Sequence, residues 1–275
     1  MNKLLYANIL RLKKDKFFWI GFACMLAAGI VIPVKKYADM VQMNSVSKLD
    51  NGFCSSAMFI GIIMAVFCSM FIGTEYSDGT IRNKIIVGQK RTAIYLANLI
   101  TSAVVSVVMC VAFILPYLCV GIPLLGFFAA DIRLILLFEL TVLCLAVAFS
   151  SVFALIAMTC QNKATMAVIC ILLAFGFLVA GGILNGMLGA PKTISMYSMS
   201  IDGVPVSTEE PNPKYLEGAK REIIQTFYDV IPGGQAIQCA MLEAVNLPRL
   251  PFYAIGITLL TTGGGFALFR KKDLK

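Results

Sequence analysis

The polar stretch GTEYSDGTIRNKIIVGQKRTAIYL, Gly73 to Leu96, decides the fold because it interrupts two long apolar runs. It carries two acids and four bases, whereas Ser55–Gly73 before it and Thr92–Ala130 behind it carry no charge. An α-helix needs about 20 apolar residues to cross the ~30 Å hydrocarbon core of a bilayer. The stretch is therefore predicted to be a loop between two membrane-spanning helices.

The composition of the whole chain is typical of a membrane protein. Of its 275 residues, 59% are hydrophobic and 14% are charged, and the mean hydropathy is +0.85. A soluble domain has about 45–50% apolar and about 25% charged residues. The net charge of +8 does not indicate nucleic acid, because the bases flank apolar spans instead of covering one polar face. We therefore expect contact with the lipid bilayer and no nucleic-acid partner.

The residue types also limit the chemistry that is open to the chain. It has no histidine, the commonest general base and metal ligand. The nine cysteines form no CxxC pair and have no metal-ligand spacing. We expect neither a catalytic residue nor a metal site. The sequence leaves open whether Cys54 and Cys239 face outward and pair.

Six segments are long and apolar enough to span a bilayer. Pro116 and Pro123 are expected to divide the long uncharged run behind Thr92, because proline breaks a helix. The piece after Leu118 is then a short, turn-rich segment. The predicted spans are Phe17–Val34, Ser55–Gly73, Ala93–Leu118, Leu134–Thr159, Ala164–Ala190 and Leu250–Phe269.

The distribution of lysine and arginine predicts the orientation, because cytosolic segments are enriched in both. With the N-terminus inside, the inner segments hold fourteen of the 23 bases and four acids. The outer segments then hold nine bases and ten acids. We therefore expect a multi-pass protein of the cell membrane with both termini in the cytosol, forming one transmembrane domain over residues 1–275.

The first sixteen residues predict a basic amphipathic helix. Leu5, Ile9 and Leu12 share one face, while the bases lie elsewhere. Such a helix before a first span is expected to rest on the inner leaflet. The alternative is a solvated, positively charged terminus.

The longest polar segment, residues 191–249, is expected outside between spans five and six. Asp202-Gly203 predicts the turn of a small hairpin, although Pro205 weakens its second strand. Asn212 is predicted to cap a helix. The chain is then expected to break at Pro232-Gly233-Gly234 and to form a short, mostly apolar helix of the re-entrant or interfacial kind.

The loop over residues 74–92 is predicted to contain one or two turns of helix. Thr80 is placed to cap this helix and Gly88 to end it. Its apolar edge consists of Ile81, Ile85 and Ile86. The alternative is an ordinary cytosolic loop, which accounts for the bases but not for the isoleucines, the caps or the acids.

The segment EYSDGTIRNKIIVGQKRTAIYLAN, Glu75–Asn98, resembles the first cytosolic loop of ABC-2 type transporter permeases, the membrane subunits of one class of bacterial ATP-driven exporters. That family shows an acidic-aromatic pair, then GT[IL]R, then a glycine and a basic residue leading into the third span. The six spans, the basic N-terminal helix and the large outer segment match as well. The resemblance implies an all-α integral membrane protein of ABC-2, type V exporter-like architecture.

The resemblance also implies roles for individual residues. The helix around Thr80–Ile86 would be the coupling helix, seated in a groove of a separate ATP-binding subunit. Glu75 and Tyr76 would brace it against the N-terminal helix, and the turn at residues 161–163 would be a second, smaller contact. The residues implied in coupling are Glu75, Tyr76, Gly79, Thr80, Ile81, Arg82, Asn83, Lys84, Ile85, Gln161, Asn162 and Lys163.

The partners follow from what the sequence lacks. No GxxxxGK[ST] phosphate loop occurs in the chain, so ATP and magnesium are expected in a partner subunit, and this chain is expected to be no enzyme. One chain offers one major coupling helix to a two-subunit ATPase, so a second permease copy or a homologous permease is expected. The substrate stays open among antimicrobial peptides, drugs and lipid-like amphiphiles.

Glu139 is the only acid well inside a predicted span, and an intramembrane carboxylate is a functional hypothesis by default. The functional hypothesis is a contact with substrate or a proton. The alternative is a structural role, paired with a hydroxyl or with Arg133, or reaching the interface.

For the whole chain, a membrane-embedded enzyme and a passive channel are the alternative classes. The chain lacks the histidine and the clustered acids that a membrane-embedded enzyme would need. A passive channel would need more polar faces on its spans.

Overall fold

The computed structural model describes residues 1–44, 46–199 and 205–271. Within these ranges the chain forms ten α-helices, two short 3-10 helices and one two-stranded antiparallel sheet. The helices are α1 Asn2–Lys14, α2 Lys16–Met43, α3 Ser56–Ser77, α4 Thr80–Ile86, α5 Arg91–Leu125, α6 Ile132–Thr159, α7 Lys163–Leu188, α8 Gly218–Val230, α9 Pro232–Met241 and α10 Leu250–Lys271. The strands are β1 Thr193–Met199 and β2 Pro205–Pro211, and the 3-10 helices are Phe53–Ser55 and Leu247–Arg249.

Six helical segments of the described chain are long and apolar enough to cross a bilayer. A helix satisfies its backbone hydrogen bonds internally, which a spanning segment requires because lipid offers no partner. The prediction of an all-α membrane protein with six spans is confirmed. The six segments are Lys16–Met43, Phe53–Ser77, Arg91–Leu125, Ile132–Thr159, Lys163–Leu188 and Leu247–Lys271.

Helices α3 and α6 form the centre of the bundle. They pack against each other, and α5, α7 and α9 also contact both of them. Helix α2 packs mainly on α5, and α10 packs mainly on α6. Of the six spans, α2, α7 and α10 are the least buried, so they offer much of the surface that lipid or another subunit can cover.

Hydrogen bonds between helix ends and loops define the two ends of the bundle. The hydroxyl of Tyr76 at the end of α3 donates to the carbonyl of Met158 at the end of α6, at 2.6 Å, and Arg91 donates to the carbonyl of Arg270 at 3.3 Å. This end, which also carries α1 and α4, is called the α4 end. At the opposite end, the α9 end, the Asp50 carboxylate accepts hydrogen bonds from backbone N–H groups of the α5–α6 loop.

Helix α5 runs without interruption through Pro116 and Pro123. The prediction that the third span ends at Leu118 is therefore wrong. Each proline removes one backbone donor, but ending the helix within lipid would leave more backbone groups unsatisfied. The continuous helix avoids most of that penalty and makes the third span the longest of the six.

Helix α1 packs on the protein with a different face from the one predicted. Leu4 and Asn8 are buried, whereas Ile9 is 48% exposed. Leu5 and Leu12 pack against the protein core. Leu5, Ile9 and Leu12 therefore do not pack as one face, because polar contacts of Asn8 with α5 set the rotation of the helix. The position of α1 on the inner leaflet stays a prediction.

The segment between the fifth and sixth spans begins with the sheet. Strands β1 and β2 pair antiparallel, from Thr193 opposite Pro211 to Met199 opposite Pro205. Pro205 is the first residue of its strand, a position where the missing N–H is tolerated. The predicted turn at Asp202-Gly203 lies outside the described residues.

The helix after the sheet begins later than predicted. Asn212 accepts a hydrogen bond from the backbone N–H of Lys214, at 3.0 Å, and donates to the carbonyl of Pro191, at 2.9 Å. Its side chain therefore holds a turn at the base of the hairpin. The predicted cap is wrong, because α8 starts only at Gly218.

Helix α9 starts at Pro232 and includes both glycines that were predicted to break the chain. Gly233 allows a close approach to α7, and Gly234 allows one to Tyr228 of α8. A Cβ atom on Gly181 would lie 2.5 Å from the backbone of Gly233, and one on Gly233 would lie 1.7 Å from the carbonyl oxygen of Phe177. The Pro-Gly-Gly sequence is thus the first turn of a helix that packs backbone to backbone.

Candidate coupling site

Glu75 is the centre of the α4 end. It lies in the last turn of α3 and is 1% exposed. Its Oε1 accepts hydrogen bonds from the Arg11 guanidinium of α1 and the Lys84 ammonium of α4, and its Oε2 accepts one from Asn98 of α5 at 2.9 Å. A buried carboxylate is stable only when its charge is paired and its lone pairs are satisfied. Glu75 therefore joins four helices at one point.

A second layer of polar contacts fixes α1. Asn8 donates to Asn98 Oδ1 at 2.8 Å and to Thr101 Oγ1 at 3.3 Å, and all three residues are buried. Arg11 also donates to the carbonyl of Phe71 at 3.1 Å, and its guanidinium lies 3.7 Å from the centre of the Phe71 ring. Helix α1 is thus attached to α3 and α5 by buried polar groups.

The turn between α3 and α4 is short and locally determined. Gly79 has a φ of 66°, a left-handed conformation that glycine adopts without strain, and it is the N-cap of α4. The predicted capping role of Thr80 is wrong, because its hydroxyl instead donates to the Glu75 carbonyl at 3.3 Å. This bond ties the first turn of α4 back to α3.

The two sides of α4 differ from the prediction. Ile81 is 1% exposed and belongs to the core, and Ile85 packs partly against it. Ile86 and Val87 are 75% and 78% exposed. The prediction that the docking edge includes Ile81 is therefore wrong. The outward side of α4 carries Arg82, Asn83, Ile86 and, just past its end, Val87.

A polar cleft of about 340 Å³ opens beside α4. It brings the end of α3 and the start of α4 together with the α6–α7 turn. The lining residues are Glu75, Tyr76, Ser77, Gly79, Ile81, Arg82 and Gln161. The two segments singled out from the sequence, 80 residues apart, therefore meet at one surface.

The other two residues of the α6–α7 turn have local structural roles. Asn162 is the N-cap of α7 and accepts hydrogen bonds from the backbone N–H groups of Ala164, at 2.9 Å, and Thr165, at 3.4 Å. The stem of Lys163 packs on Gly73 of α3, where a Cβ would lie 2.9 Å from its Cγ. Neither residue lines the cleft.

Glu139 faces the bundle interior. The Cys54 thiol donates to its Oε2 at 3.9 Å, and its Oε1 is buried without a hydrogen-bond partner in the described part of the chain. Arg133 is exposed, and no ion pair joins it to Glu139 in the described ranges. The alternative of an Arg133 pair is thus wrong. Cys54 and Cys239 are buried free thiols, so the structure does not contain the disulfide that the sequence left open.

Several residues of the site were missed by sequence reasoning. In the sequence Arg11 is one of several bases in a basic helix, and Asn8 and Asn98 are isolated amides. An amide at position 98, close to the start of a long uncharged run, was the available signal, because a buried polar group needs a partner. Nothing in the sequence distinguishes Ile86 from Ile81, because only packing decides which of them is covered.

The comparison with known families agrees with this architecture. The family model described as ABC-2 family transporter protein matches residues 4–180, more than half of the chain. The chain therefore belongs to the ABC-2 family, and it is a multi-pass membrane permease of an ABC-type transporter. The match covers most of α1, all of α2 to α6, the candidate coupling site and most of α7, while α8, α9 and α10 lie outside it. No curated protein matches the chain.

Proposed function

We propose that this permease docks through α4 on a separate ATP-binding subunit, which binds ATP and magnesium and drives export. The exposure of Ile86 and Val87 carries the proposal, because two adjacent aliphatic side chains stand 75% and 78% exposed where the chain has left the apolar spans. Exposed apolar surface outside the membrane is typical of a contact with another protein.

The attachment of α4 supports a mechanical role. Lys84 and the buried Ile81 hold one side of α4 to the bundle, while the opposite side stays accessible. Through Glu75, a displacement of α4 is transmitted to α1, α3 and α5 together. ATP hydrolysis in the partner would then bias an inward-facing against an outward-facing arrangement of the spans.

The polar cleft beside α4 supports a second, smaller contact. Arg82 and Gln161 border it from α4 and from the α6–α7 turn. A side chain of the ATP-binding subunit inserted here would touch both segments at once. The coupling residues would then divide into those that hold α4, such as Glu75, Lys84 and Ile81, and those that face the partner.

The complete transporter is proposed to contain two permease chains. Each chain has one α4, and a pair of ATP-binding subunits requires two, so the second permease is another copy or a homologue. Their sparsely buried spans would enclose the translocation path. The proposal places the α4 end in the cytosol of the cell and the α9 end outside, in agreement with the distribution of lysine and arginine.

The proposed substrate is an amphipathic molecule, such as an antimicrobial peptide, a drug or a lipid-like amphiphile. The spans are apolar, and Glu139 offers one buried carboxylate oxygen without a partner among the described residues. Such a group is retained at a cost in stability, which supports a contact with substrate or a proton.

The double substitution Ile86→Asp with Val87→Asp tests the docking. Two charges placed in a packed contact cost several kcal/mol, and each ~1.4 kcal/mol is a tenfold change in affinity. The ATP-binding subunit should no longer co-purify in mild detergent, while the variant permease still inserts in the membrane.

The matched control is Val46→Asp with Val245→Asp, which changes two aliphatic residues that are 84% and 78% exposed at the α9 end. This control should keep the ATP-binding subunit. Normal co-purification and transport by the Ile86 and Val87 variant would overturn the docking surface.

A further inference from the structure

Helix α6 borders two apolar clefts, one with the segment that leads into α10 and one with α10 and α5, and together we call them the α6–α10 seam. The upper cleft, near the α9 end, has a volume of about 420 Å³, and the lower cleft, deeper in the membrane, has a volume of about 260 Å³. The main apolar residues of the upper cleft are Leu134, Leu137, Leu247 and Pro248. Those of the lower cleft are Leu143, Cys144, Val147, Ile255 and Leu259.

The two clefts lie one above the other along the same seam. Leu137 of the upper cleft and Cys144 of the lower cleft are seven residues apart on α6, and Pro248 of the upper cleft lies just before α10, which carries Ile255 of the lower cleft. Residues seven apart on an α-helix differ by only ~20° in direction. At 1.5 Å per residue, the seam extends about 20 Å from Leu134 to Val147, compared with ~15 Å for the hydrocarbon of one leaflet.

The mouth of the upper cleft carries one group of each charge. Arg133 and Asp131 both line it, at the start of α6. Asp131 accepts the backbone N–H of Arg133 at 3.0 Å, and the Arg133 side chain is exposed, with no ion pair in the described part of the chain. Below these two residues the lining is almost wholly apolar.

We propose that the seam binds one zwitterionic phospholipid with an amino headgroup. Its phosphodiester is held by the Arg133 guanidinium, which suits a phosphate geometrically, and its ammonium lies at the Asp131 carboxylate. One acyl chain follows the seam past Cys144. The charged groups stand at the mouth, and the lining below is apolar apart from Thr258, whose hydroxyl donates to the Ala254 carbonyl, which is the order in which a phospholipid presents its own parts.

The dimensions favour a lipid chain over a helix of another subunit. An α-helix with side chains is about 10–12 Å across, whereas clefts of 260–420 Å³ suit a single file of methylene groups. The mouth also complements a headgroup that carries both charges, whereas an anionic headgroup would meet the Asp131 carboxylate.

The test uses a phosphatidylethanolamine probe with a photoreactive acyl chain, added at a low fraction to phosphatidylglycerol nanodiscs that contain the permease. Cross-links located by mass spectrometry are expected within residues 134–147 and 248–259. Unlabelled phosphatidylethanolamine should compete, and diacylglycerol with the same chains should not. A phosphatidylglycerol probe that labels the seam equally well would overturn the headgroup assignment.

Two variants and two matched controls complete the test. Arg133→Ala should lower the cross-linking yield about tenfold, as expected for the loss of one charge-assisted hydrogen bond. Cys144→Trp should fill the lower cleft and move the cross-links out of it. Arg249→Ala, which removes an exposed arginine that lines a different cleft, and Leu260→Trp, which is 78% exposed on α10 and lines neither cleft of the seam, should label like the native chain.

The proposal fails if Arg133→Ala labels like the native chain, and this substitution of an exposed residue leaves the fold intact. It also fails if oxidation joins Cys144 of one copy to Cys144 of another in high yield, because a second copy would then cover the seam.

Discussion

The guanidinium of Arg11 pairs with the carboxylate of Glu75, 64 residues further along the chain, and so attaches the first helix to the end of the second span. The same carboxylate holds Lys84 of α4. One buried acid thus pairs with both cations. It joins α4, which is proposed to meet the ATP-binding subunit, to α1, so the two helices form one mechanical unit.

Glu75→Gln should loosen this unit. The neutral side chain leaves Arg11 and Lys84 without a counter-charge, and breaking a buried ion pair costs about 3–5 kcal/mol. Amide hydrogen exchange over residues 80–87 should become faster. Asp78→Asn, which changes an exposed acid of the same turn, is the control and should exchange like the native chain.

Ile81→Ala should lower the stability of the permease, whereas Ile86→Ala should weaken its binding to the ATP-binding subunit. Ile81 is buried, and truncating a buried isoleucine costs about 2–5 kcal/mol, so the melting temperature of the permease alone should fall. Ile86→Ala should leave the melting temperature nearly unchanged and weaken binding of the ATP-binding subunit instead. Equal melting temperatures of the two variants would contradict the packing of α4.

Gly181→Ala should destabilise the contact between α7 and α9. The new Cβ would lie 2.5 Å from the Gly233 backbone, and overpacking of this kind costs about 1–3 kcal/mol or more. At the adjacent position, the Cβ of Gly182→Ala would meet no atom of the described residues within 4 Å, and the change should be neutral or stabilising by up to ~1 kcal/mol. Thermal unfolding in detergent measures both, and a loss of stability in the Gly182 variant would argue against the close approach.

Glu139→Met should stabilise the protein and impair transport. The carboxylate has one buried oxygen without a partner in the described ranges, and removing such a group relieves about 1–3 kcal/mol. If Glu139 contacts substrate or binds a proton, the more stable variant should also transport less in the reconstituted complex. A lower melting temperature would instead assign Glu139 a structural role.

Two single cysteines test the orientation in a background without native cysteine. Asn83→Cys, exposed on α4, should react with a membrane-impermeant maleimide only from the cytosol. Glu210→Cys, exposed in β2, should react only from outside. Reversed accessibility would overturn the orientation and with it the docking of α4.

The spans and the coupling loop could be predicted because both depend on local composition. An uncharged run of about 20 residues leaves few alternatives to a spanning helix. The rule that failed is that proline breaks a helix, which holds in water and was applied to Pro116 and Pro123. In lipid the remaining backbone groups have no other partner, so the helix continues.

The orientation of the short helices could not be predicted. A seven-residue helix such as α4 has apolar residues on more than one side, and packing alone buries Ile81 and exposes Ile86. The rotation of α1 depends on Asn98, 90 residues beyond Asn8. The start of α8 depends on the backbone around Asn212, where a capping residue and a turn residue have the same sequence signal.

The amide pair between Asn8 and Asn98 also sets an order of events during synthesis. At ~5–20 residues per second, the ribosome adds the 90 residues that separate the two in about 5–18 s. During that interval α1 has no partner on α5, and for the first part of it Arg11 also lacks Glu75, which follows 64 residues later in the chain. The surface proposed to receive the ATP-binding subunit is therefore completed only after the third span has begun to emerge, so a nascent chain that stalls earlier presents no finished docking site.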